Sequence, residues 1–411
     1  IHHPHGLLRL YANKMLLADP YLTHQLIPYI GNKRKLLPMI HAAIHRTGIS
    51  NGTFCDLFSG SGVVSRLAKR MGFRVIANDW EPYSEIINLA YIKANNPLAF
   101  KALGGMEAAF NTLNTLTPLR GYIATHYCPE DDENPDFERE RMFYTQENGR
   151  RIDAIREQIA SWKADGKIDQ LEEAVLLASL IYQASYCSNT SGVFKGFHRG
   201  WGGATQTALY RIRSRLEISP PMFYDNGKEN LVLRGEASEV ASQVECDIVY
   251  IDPPYNQHQY GSNYHLLNTV ALWDKPKVSK YILSGPGPKT KSAIRMDWRT
   301  LRRSQYCYSS TALNAFSKLM ARIRAKCVLI SYSTDGIMPV EALLRILAEK
   351  GKLSVLTKPY KRYRVSSQRP SPRSHTTEFI AIVDTTKPAE PDAVKQAIES
   401  IKSAGSSRMN F

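Results

Sequence analysis

The chain has 411 residues, 43% of them hydrophobic and 22% charged, which is the composition of a globular protein with room for about two or three domains. Its 53 Lys and Arg residues outnumber its 38 Asp and Glu residues, and the formal charge of +15 indicates a polyanionic partner, with nucleic acid the first candidate. The six cysteines lack zinc spacing and no apolar run reaches the length of a membrane span, so we expect no metal site, no membrane association and a cytoplasmic protein with reduced thiols.

The first predicted elements form a β-turn-α-β unit. Residues 36–47 have helical spacing, and "GTFCDLF" follows as a short buried strand. "SGSGVVSRLAKRMGF" is a glycine turn that leads into a helix, and "RVIANDW" is a second strand. This order predicts the opening of a doubly wound α/β sheet.

The character of the sequence changes at about residue 101, where helical segments such as "LEEAVLLASLIYQASY" replace strands. Strand-like sequence returns at "NLVLRGEA" and "CDIVYIDPPY", and later at "KCVLISYS", "KLSVLTKPYKRYRV" and "TTEFIAIVD". We therefore predict a split α/β domain with a mostly helical insertion and an irregular stretch at about 274–304. The predicted parts are residues 20–100, the insertion 101–227, the second α/β part 228–386 and a tail 387–411 with one surface helix.

The first glycine turn has the features of a cofactor site. In "DLFSGSG", Gly60 and Gly62 allow a sharp turn and the close approach of a ligand, and Asp79 ends the next strand, where a carboxylate can bind both ribose hydroxyls. The turn lacks the dinucleotide fingerprint and the Lys of a phosphate loop. An adenosine cofactor without pyrophosphate, such as S-adenosylmethionine, fits what remains. Asp56 can meet its ammonium group or merely hold the turn, and a turn that binds nothing is the alternative.

A second motif ends the strand "CDIVYIDPPY". Pro253 and Pro254 cannot continue a strand, since each lacks an N–H and has a fixed φ. The stop brings together the Asp252 carboxylate, a free carbonyl and the Tyr255 ring, which suit a flat ligand with an amino group. The alternative is an ordinary exit from a strand into a loop.

Four motifs of this chain resemble those of the D12 class of DNA adenine-N6 methyltransferases, the Dam-like alpha group, in their residues and in their order along the chain. They are "PYIGNKRKLL", "DLFSGSG", "ANDWEP" and "DPPY". The likeness runs from about residue 25 to 384. It implies a Rossmann-like fold dependent on S-adenosylmethionine, with the insertion as target-recognition domain. One departure is Gly31-Asn32-Lys33 where the family often has Gly-Gly-Lys, and we expect Asn32 to tolerate a positive φ.

The resemblance also implies roles for individual residues. Tyr29 and Lys33 line the cofactor pocket, and Asp79 binds the ribose. Asp252 touches both the cofactor and the target base. Glu236 in "LRGEA" either meets the adenine amine of the cofactor or is a surface residue. The implied cofactor-binding set is Tyr29, Lys33, Asp56, Phe58, Gly60, Gly62, Asp79, Glu236 and Asp252.

The chemistry implied by this family is a direct methyl transfer. Asp252 and the Pro253 carbonyl accept the hydrogens of the adenine amine and direct its lone pair at the methyl group, while Tyr255 stacks on a base that has left the duplex. Cytosine-N4 enzymes more often have Ser in place of the Asp. Methylation of RNA adenine or DNA cytosine, and an inactive DNA-binding subunit, remain the alternatives.

Two basic stretches are candidate contacts to double-stranded DNA. The first combines Lys195, His198 and Arg199 with aromatic residues in "GVFKGFHRGWGG", and the aromatics can read DNA or simply pack the segment. The second, residues 358–377, is either a phosphate-binding or a merely solvated basic hairpin. Its candidates are Lys358, Lys361, Arg362, Arg364 and Arg369. The sequence does not decide between a modification methylase with a cognate restriction endonuclease and a solitary genome methylase, and it does not indicate the oligomeric state.

Overall fold

The computed structural model describes residues 16, 18–285, 290–361 and 375–406. In this part of the chain seven strands form one sheet in the order β3-β2-β1-β4-β5-β7-β6. All neighbours are parallel except the two pairs that β7 makes with β5 and β6. The strands are β1 (Thr53–Asp56), β2 (Arg74–Asp79), β3 (Leu231–Arg234), β4 (Cys246–Ile251), β5 (Ala325–Ser333), β6 (Lys352–Lys361) and β7 (His375–Asp384).

The strand order reverses between β1 and β4, which are direct neighbours although about two hundred residues separate them in the chain. Asp56 at the end of β1 is in register with Tyr250, one residue before the end of β4. The glycine turn that follows β1 and the Asp-Pro-Pro-Tyr stretch that follows β4 therefore lie at the same sheet edge. Such a switch point is where open α/β sheets bind their ligands.

Helices cover both faces of the sheet. The α-helices are α1 (Pro20–Thr23), α2 (Leu37–Arg46), α3 (Val63–Arg70), α4 (Pro82–Asn88), α5 (Met106–Thr115), α6 (Tyr122–His126), α7 (Gln146–Ala164), α8 (Gln170–Tyr186), α9 (Leu209–Ile212), α10 (Ala237–Gln243), α11 (Tyr260–Asn263), α12 (His265–Leu272), α13 (Ala312–Arg322), α14 (Val340–Ala348) and α15 (Ala393–Ser406). Helices α2 and α3 pack on one face, and α10, α13, α14 and α15 pack on the other. The predicted α/β layers are present.

The helices α5 to α9 occupy residues 106–212, and no strand lies within 101–227, all of which the structure describes. Their apolar side chains do not form a separate core. Phe110 of α5 and Ile155 of α7 belong to the same buried cluster as Tyr83 of α4 and Leu266 of α12. The insertion is therefore packed directly onto the helices that follow β2 and β4.

The stretch predicted to be irregular, 274–304, has one short 3₁₀ turn, Met296–Arg299, in its described residues. Arg141 anchors it. Arg141 is 1% exposed, and its guanidinium donates to the Ser279 carbonyl at 2.8 Å and to the Thr290 carbonyl at 2.7 Å. These two carbonyls belong to separate parts of the segment. Because a buried guanidinium needs acceptors for its donors, Arg141 holds both parts in place.

The tail forms one helix at the surface, α15, with one side packed. Ala393, Ala397 and Ile401 are buried in the core below the sheet, while most other described residues of the helix are exposed. No helix in the described residues has both the length and the apolar character that crossing a membrane would require.

Candidate active site

A cavity of about 450 Å³ lies at the carboxyl edge of the sheet, at the switch between β1 and β4. Its walls come from the end of β1, the segments after β2, β3 and β4, the N-terminal motif and the segment before α13. The sequence candidates that line it are Tyr29, Lys33, Phe58, Asp79, Glu236, Asp252, Pro253, Pro254 and Tyr255. The fold thus gathers residues from four distant motifs around one space.

The glycine turn lies beneath a tyrosine ring. Gly60 has φ +50°, and a Cβ built on it would lie 2.8 Å from Cε1 of Tyr29. The Gly60 N–H donates to Asp79 Oδ2 at 2.9 Å, and the Glu81 N–H donates to Asp79 Oδ1 at 3.0 Å. Glycine therefore provides the left-handed turn and the room for Tyr29, while Asp79 fixes the turn to the end of β2.

Asp56 is buried below this turn and is 1% exposed. Its Oδ2 accepts a hydrogen bond from the Ser65 hydroxyl at 2.7 Å, and Oδ1 has no hydrogen-bond partner among the described residues. Burial raises the pKa of Asp56 to about 7. Asp56 is not among the residues that line the cavity, and its two interpretations, a turn-holding acid and a partner for an ammonium group, stay predictions.

The N-terminal motif is fastened to the segment after β4. The Ile30 N–H donates to the Tyr264 hydroxyl at 2.8 Å, and the Tyr260 hydroxyl donates to the Ile30 carbonyl at 3.0 Å. The positive φ of this turn, +75°, falls on Gly31, whereas Asn32 has φ −52° and accepts from Arg34 N. The turn is present despite the Asn, and the tolerance of Asn32 for a positive φ is not used, because the residue before it adopts that angle.

Lys33 contacts the catalytic candidate directly. Its Nζ lies 2.9 Å from Asp252 Oδ1, donates to the Gly31 carbonyl at 3.0 Å and lies 4.6 Å from the centre of the Tyr255 ring. The two charged side chains are 6% and 17% exposed. Burial raises the pKa of Asp252, and the Lys33 ammonium opposes that shift.

Tyr255 is supported from behind. Its ring packs edge-on against Tyr332 at 4.8 Å between centres, and its carbonyl accepts from the Ile337 N–H at 3.0 Å. Burial raises the pKa of the Tyr255 hydroxyl, so the phenol stays neutral. The segment after β4 is therefore held at both the backbone and the ring.

Glu236 lies in the opposite wall, where it caps α10. Its Oε2 accepts from the Ser238 N–H at 2.8 Å and also from the Ser238 hydroxyl. Phe58 lies in the same half of the cavity and packs against Tyr306 at 5.2 Å between ring centres. Tyr306 was missed in the sequence, because only the folded chain brings the segment before α13 to this wall.

Glu81 was also missed. It is 1% exposed and lines the cavity; Asn268 Nδ2 donates to its Oε2 at 2.5 Å, while Oε1 has no partner among the described residues. Burial raises the pKa of Glu81 to about 7. The available signal was its position two residues after Asp79, although an acid before a Pro also predicts a plain helix start.

The insertion brings one basic candidate close to the motif after β4. Lys195 is exposed, and its charge adds to burial in lowering the pKa of His258. The residue before it, Phe194, is buried and donates its N–H to the Asn263 carbonyl at 2.7 Å. His198 is half-buried, and Arg199 is exposed with Glu138 at 3.4 Å.

The aromatic residues of this segment have packing partners. The rings of Phe194 and Phe197 lie 6.2 Å and 5.0 Å from Phe143, and Trp201 Nε1 donates to the Asp132 carbonyl at 2.8 Å. Packing is therefore the interpretation that their contacts support.

The second basic stretch is described only at its ends. Lys358 is half-buried, donates from Nζ to the Lys35 carbonyl at 3.2 Å and lies opposite Glu378 of β7. Lys361 is the last residue of β6, and its side chain lies outside the described part. Arg362, Arg364 and Arg369 also lie outside the described residues, so their predicted role stays a prediction.

The reversed strand order, the glycine turn held by Asp79 and the Asp-Pro-Pro-Tyr motif across the same cavity define a Rossmann-like methyltransferase. The chain belongs to the D12 class of N6 adenine-specific DNA methyltransferases, whose family model matches residues 29–316. The predicted family, fold and enzyme class are confirmed. DNA is accordingly the substrate, and the reaction needs a methyl donor.

Curated relatives are similar over most of this chain. It is 32% identical to the type II methyltransferase M.NlaIII of Neisseria lactamica, over 87% of this chain and 99% of that protein. It is 32% identical to the modification methylase StsI of Streptococcus sanguinis, over 82% of this chain and 48% of that protein. For the type II methyltransferase M.FokI of Planomicrobium okeanokoites the identity is 31%, over 87% of this chain and 54% of that protein. The chain thus spans nearly all of the first relative and about half of the other two.

Proposed function

We propose that this protein transfers a methyl group from S-adenosylmethionine to N6 of an adenine that has been rotated out of double-stranded DNA. The observation that carries the proposal is the single cavity joining Asp79 and Glu236 on one side to Asp252 and Tyr255 on the other. At about 450 Å³ it is within the usual size range of ligand pockets. A donor and an acceptor must share one such space for direct transfer.

The cofactor half has side chains that fit an adenosyl group and a methionine group. Asp79 offers acceptors to ribose hydroxyls, and the unpartnered Glu81 oxygen offers another. Phe58 and Tyr306 provide an apolar wall for a purine ring, and Glu236 lies where an exocyclic amine can reach it. S-adenosylmethionine, when bound, supplies a methyl group activated by a positively charged sulfur.

The acceptor half supplies positioned hydrogen-bond acceptors. The Asp252 carboxylate and the Pro253 carbonyl hold the two hydrogens of the amine, which frees its lone pair for attack on the methyl carbon. With the donor bound, the electron pair of the broken bond would stay on its sulfur, and Asp252 would accept the proton that the methylated nitrogen loses and pass it to water. Burial of Asp252 raises its pKa and makes it a better proton acceptor.

Access to the adenine amine requires base flipping, because N6 is enclosed in a stacked duplex. Tyr255, fixed by Tyr332, supports the flipped ring. We further propose that residues 101–227 form the target-recognition domain, because Phe194, the residue before Lys195, donates to the Asn263 carbonyl in the segment after β4. Lys195 and Arg199 then bind phosphates, and the basic stretch from Lys358 onward adds further contacts.

We propose a role in DNA modification beside a cognate restriction endonuclease, in the cytoplasm. The support is the name of the StsI relative as a modification methylase and of two others as type II methyltransferases.

The experiment is transfer of a labelled methyl from S-adenosylmethionine to unmethylated genomic DNA, followed by nucleoside analysis and sequencing of the modified sites. N6-methyladenine supports the proposal and gives the recognition sequence. N4-methylcytosine would overturn the choice of base, and label on RNA alone would overturn the choice of polymer.

Lys195→Ala is expected to weaken DNA binding uniformly across sequences, since a phosphate contact carries no sequence information. The slope of log affinity against log salt concentration should fall by about 1, as expected for one lost contact. Fluorescence anisotropy across a salt series measures this.

Lys387→Ala is the matched control for that substitution. Lys387 is exposed and pairs with Asp384. Asp384 is in register with Cys327 near the start of β5, so this pair lies at the end of the sheet away from the cavity. If the salt slope of Lys195→Ala equals that of the wild-type protein, Lys195 does not contact a DNA phosphate.

A further inference from the structure

The ion pair in the active site conflicts with the chemistry assigned to it. Lys33 Nζ lies 2.9 Å from Asp252 Oδ1, so the ammonium and the target amine compete for this oxygen. A charged donor binds a carboxylate more strongly than the neutral adenine amine does. Direct use of Oδ1 by the target amine therefore requires Lys33 to leave that oxygen, and a buried ammonium needs another anion to receive it.

Glu378 is placed to be that anion. It lies in β7, opposite Ser333 of β5 and Lys358 of β6, so both neighbouring strands flank it. Its Oε2 is buried and has no hydrogen-bond partner among the described residues. An unsatisfied buried carboxylate oxygen is costly unless it gains a partner in another state.

The same carboxylate senses both members of the ion pair. Burial raises the pKa of Glu378 to about 7, Lys33 lowers it and Asp252 raises it. Lys33 ends in an ammonium on a flexible four-carbon stem, which allows the charge to turn from one partner to another. Geometry agrees, because Lys358 lies opposite Glu378 and donates from Nζ to the Lys35 carbonyl at 3.2 Å, so the turn that carries Lys33 lies beside this part of β7.

We infer that Glu378 is the second partner of Lys33 and receives its ammonium when the target amine takes the place of Lys33 at Asp252. This inference rests on the proposed function. A nitrogen that becomes positively charged beside an uncompensated lysine would be destabilised, and the Glu378 charge offsets that lysine. Glu378 touches neither substrate in this scheme, so it is a positioning residue.

The charged and titratable groups that face Glu378 come from every element around it. They are Lys33 from the N-terminal motif, Tyr250, Asp252 and Tyr255 from β4 and its exit, Asp335 after β5, and Lys358 from β6. Glu378 must be ionised to receive Lys33, so the rate of methyl transfer should rise as pH increases through about 7. Asp56 and Glu81 also titrate there, so the comparison between variants, rather than the wild-type profile, is diagnostic.

The first test is Glu378→Gln, which keeps the shape of the side chain and removes its charge. We expect kcat to fall about 30-fold, as for loss of one charge-assisted contact, with KM for S-adenosylmethionine changed less than about threefold. The acid limb of the pH profile should become less steep. Asp384→Asn, on the same strand but at the far sheet edge, is the matched control and should keep the wild-type profile.

The second test measures binding without turnover. Duplexes carry either adenine or purine, which lacks the 6-amino group, at the site found by sequencing, and dissociation constants are measured with a non-reactive cofactor analogue. In Glu378→Gln we expect the affinity for the purine duplex, relative to that for the adenine duplex, to be about tenfold higher than in the wild-type protein. In Asp384→Asn we expect this relative affinity to stay at its wild-type value. Purine leaves Lys33 undisturbed, whereas adenine must displace it.

These readouts separate the inference from the function it rests on. If the wild-type protein methylates adenine and Glu378→Gln keeps its kcat, its pH profile and its adenine preference, Glu378 is not the partner. A lower kcat with the adenine preference unchanged would also overturn the inference, because the effect would then be structural. An inactive wild-type protein would instead count against the proposed function.

Discussion

Asp252→Ala is expected to lower methyl transfer by about a thousandfold or more while DNA affinity stays within about threefold of wild type. The change removes the fixed acceptor that directs the amine and takes its proton. It also leaves Lys33 buried without the carboxylate 2.9 Å away. No phosphate contact is assigned to Asp252, so binding outside the cavity is unaffected.

Single-turnover methylation and DNA binding, measured on the same preparations, test this expectation. Asp252→Asn keeps the shape and should lose nearly as much rate, because an amide cannot accept the proton. Asp247→Ala is the control: this acid is the second residue of the same strand, pairs with Lys326 and accepts from Thr53 N, so its loss costs stability far from the cavity. A variant of Asp252 that keeps more than about a tenth of the wild-type rate would refute the assigned mechanism.

Gly60→Ala is expected to weaken binding of S-adenosylmethionine by about a hundredfold. Alanine is strained at φ +50°, and its Cβ would lie 2.8 Å from the Tyr29 ring. Tyr29 must then move, and it packs against Tyr264 at 4.9 Å between ring centres in the wall of the cavity. Calorimetric titration with the cofactor measures the change.

Gly48→Ala separates backbone strain from the loss of the site. Gly48 has a comparable φ of +73°, and a Cβ there meets nothing within 4 Å. This control should lose about 1 kcal/mol of stability and keep its cofactor affinity. Equal affinities in the two variants would show that the contact between Tyr29 and the glycine turn does not shape the pocket.

The order of the motifs was enough to predict much of the site. Short buried strands before "SGSG" and "DPPY" identify two strand ends, and the rule that open α/β sheets bind ligands at those ends predicts their meeting. Asp79 and Asp252 therefore line one cavity, as the sequence led us to expect. The roles assigned to them stay predictions.

What was missed depends on contacts that only the folded chain creates. Glu378 is one acid in an ordinary apolar strand, and nothing local indicates that β7 runs antiparallel between β5 and β6. The Lys33 to Asp252 pair joins residues more than two hundred positions apart, and Tyr29 over Gly60 depends on how Tyr260 and Tyr264 hold the N-terminal motif. The positive φ at Gly31 could not be located from the sequence either, because the tolerance of Asn32 for such an angle does not say which residue adopts it.

The shared core of the insertion and the sheet helices has a consequence for cooperativity. Phe110 and Ile155 are buried with Tyr83 and Leu266, so neither part can melt without exposing apolar surface of the other. Calorimetry should accordingly give one transition for the whole chain, and two separated transitions would contradict this. Exchanging the insertion for that of a relative would disrupt the packing behind the catalytic motif, so new specificity is reached more readily by substitutions on its surface loops than by replacing it as a module.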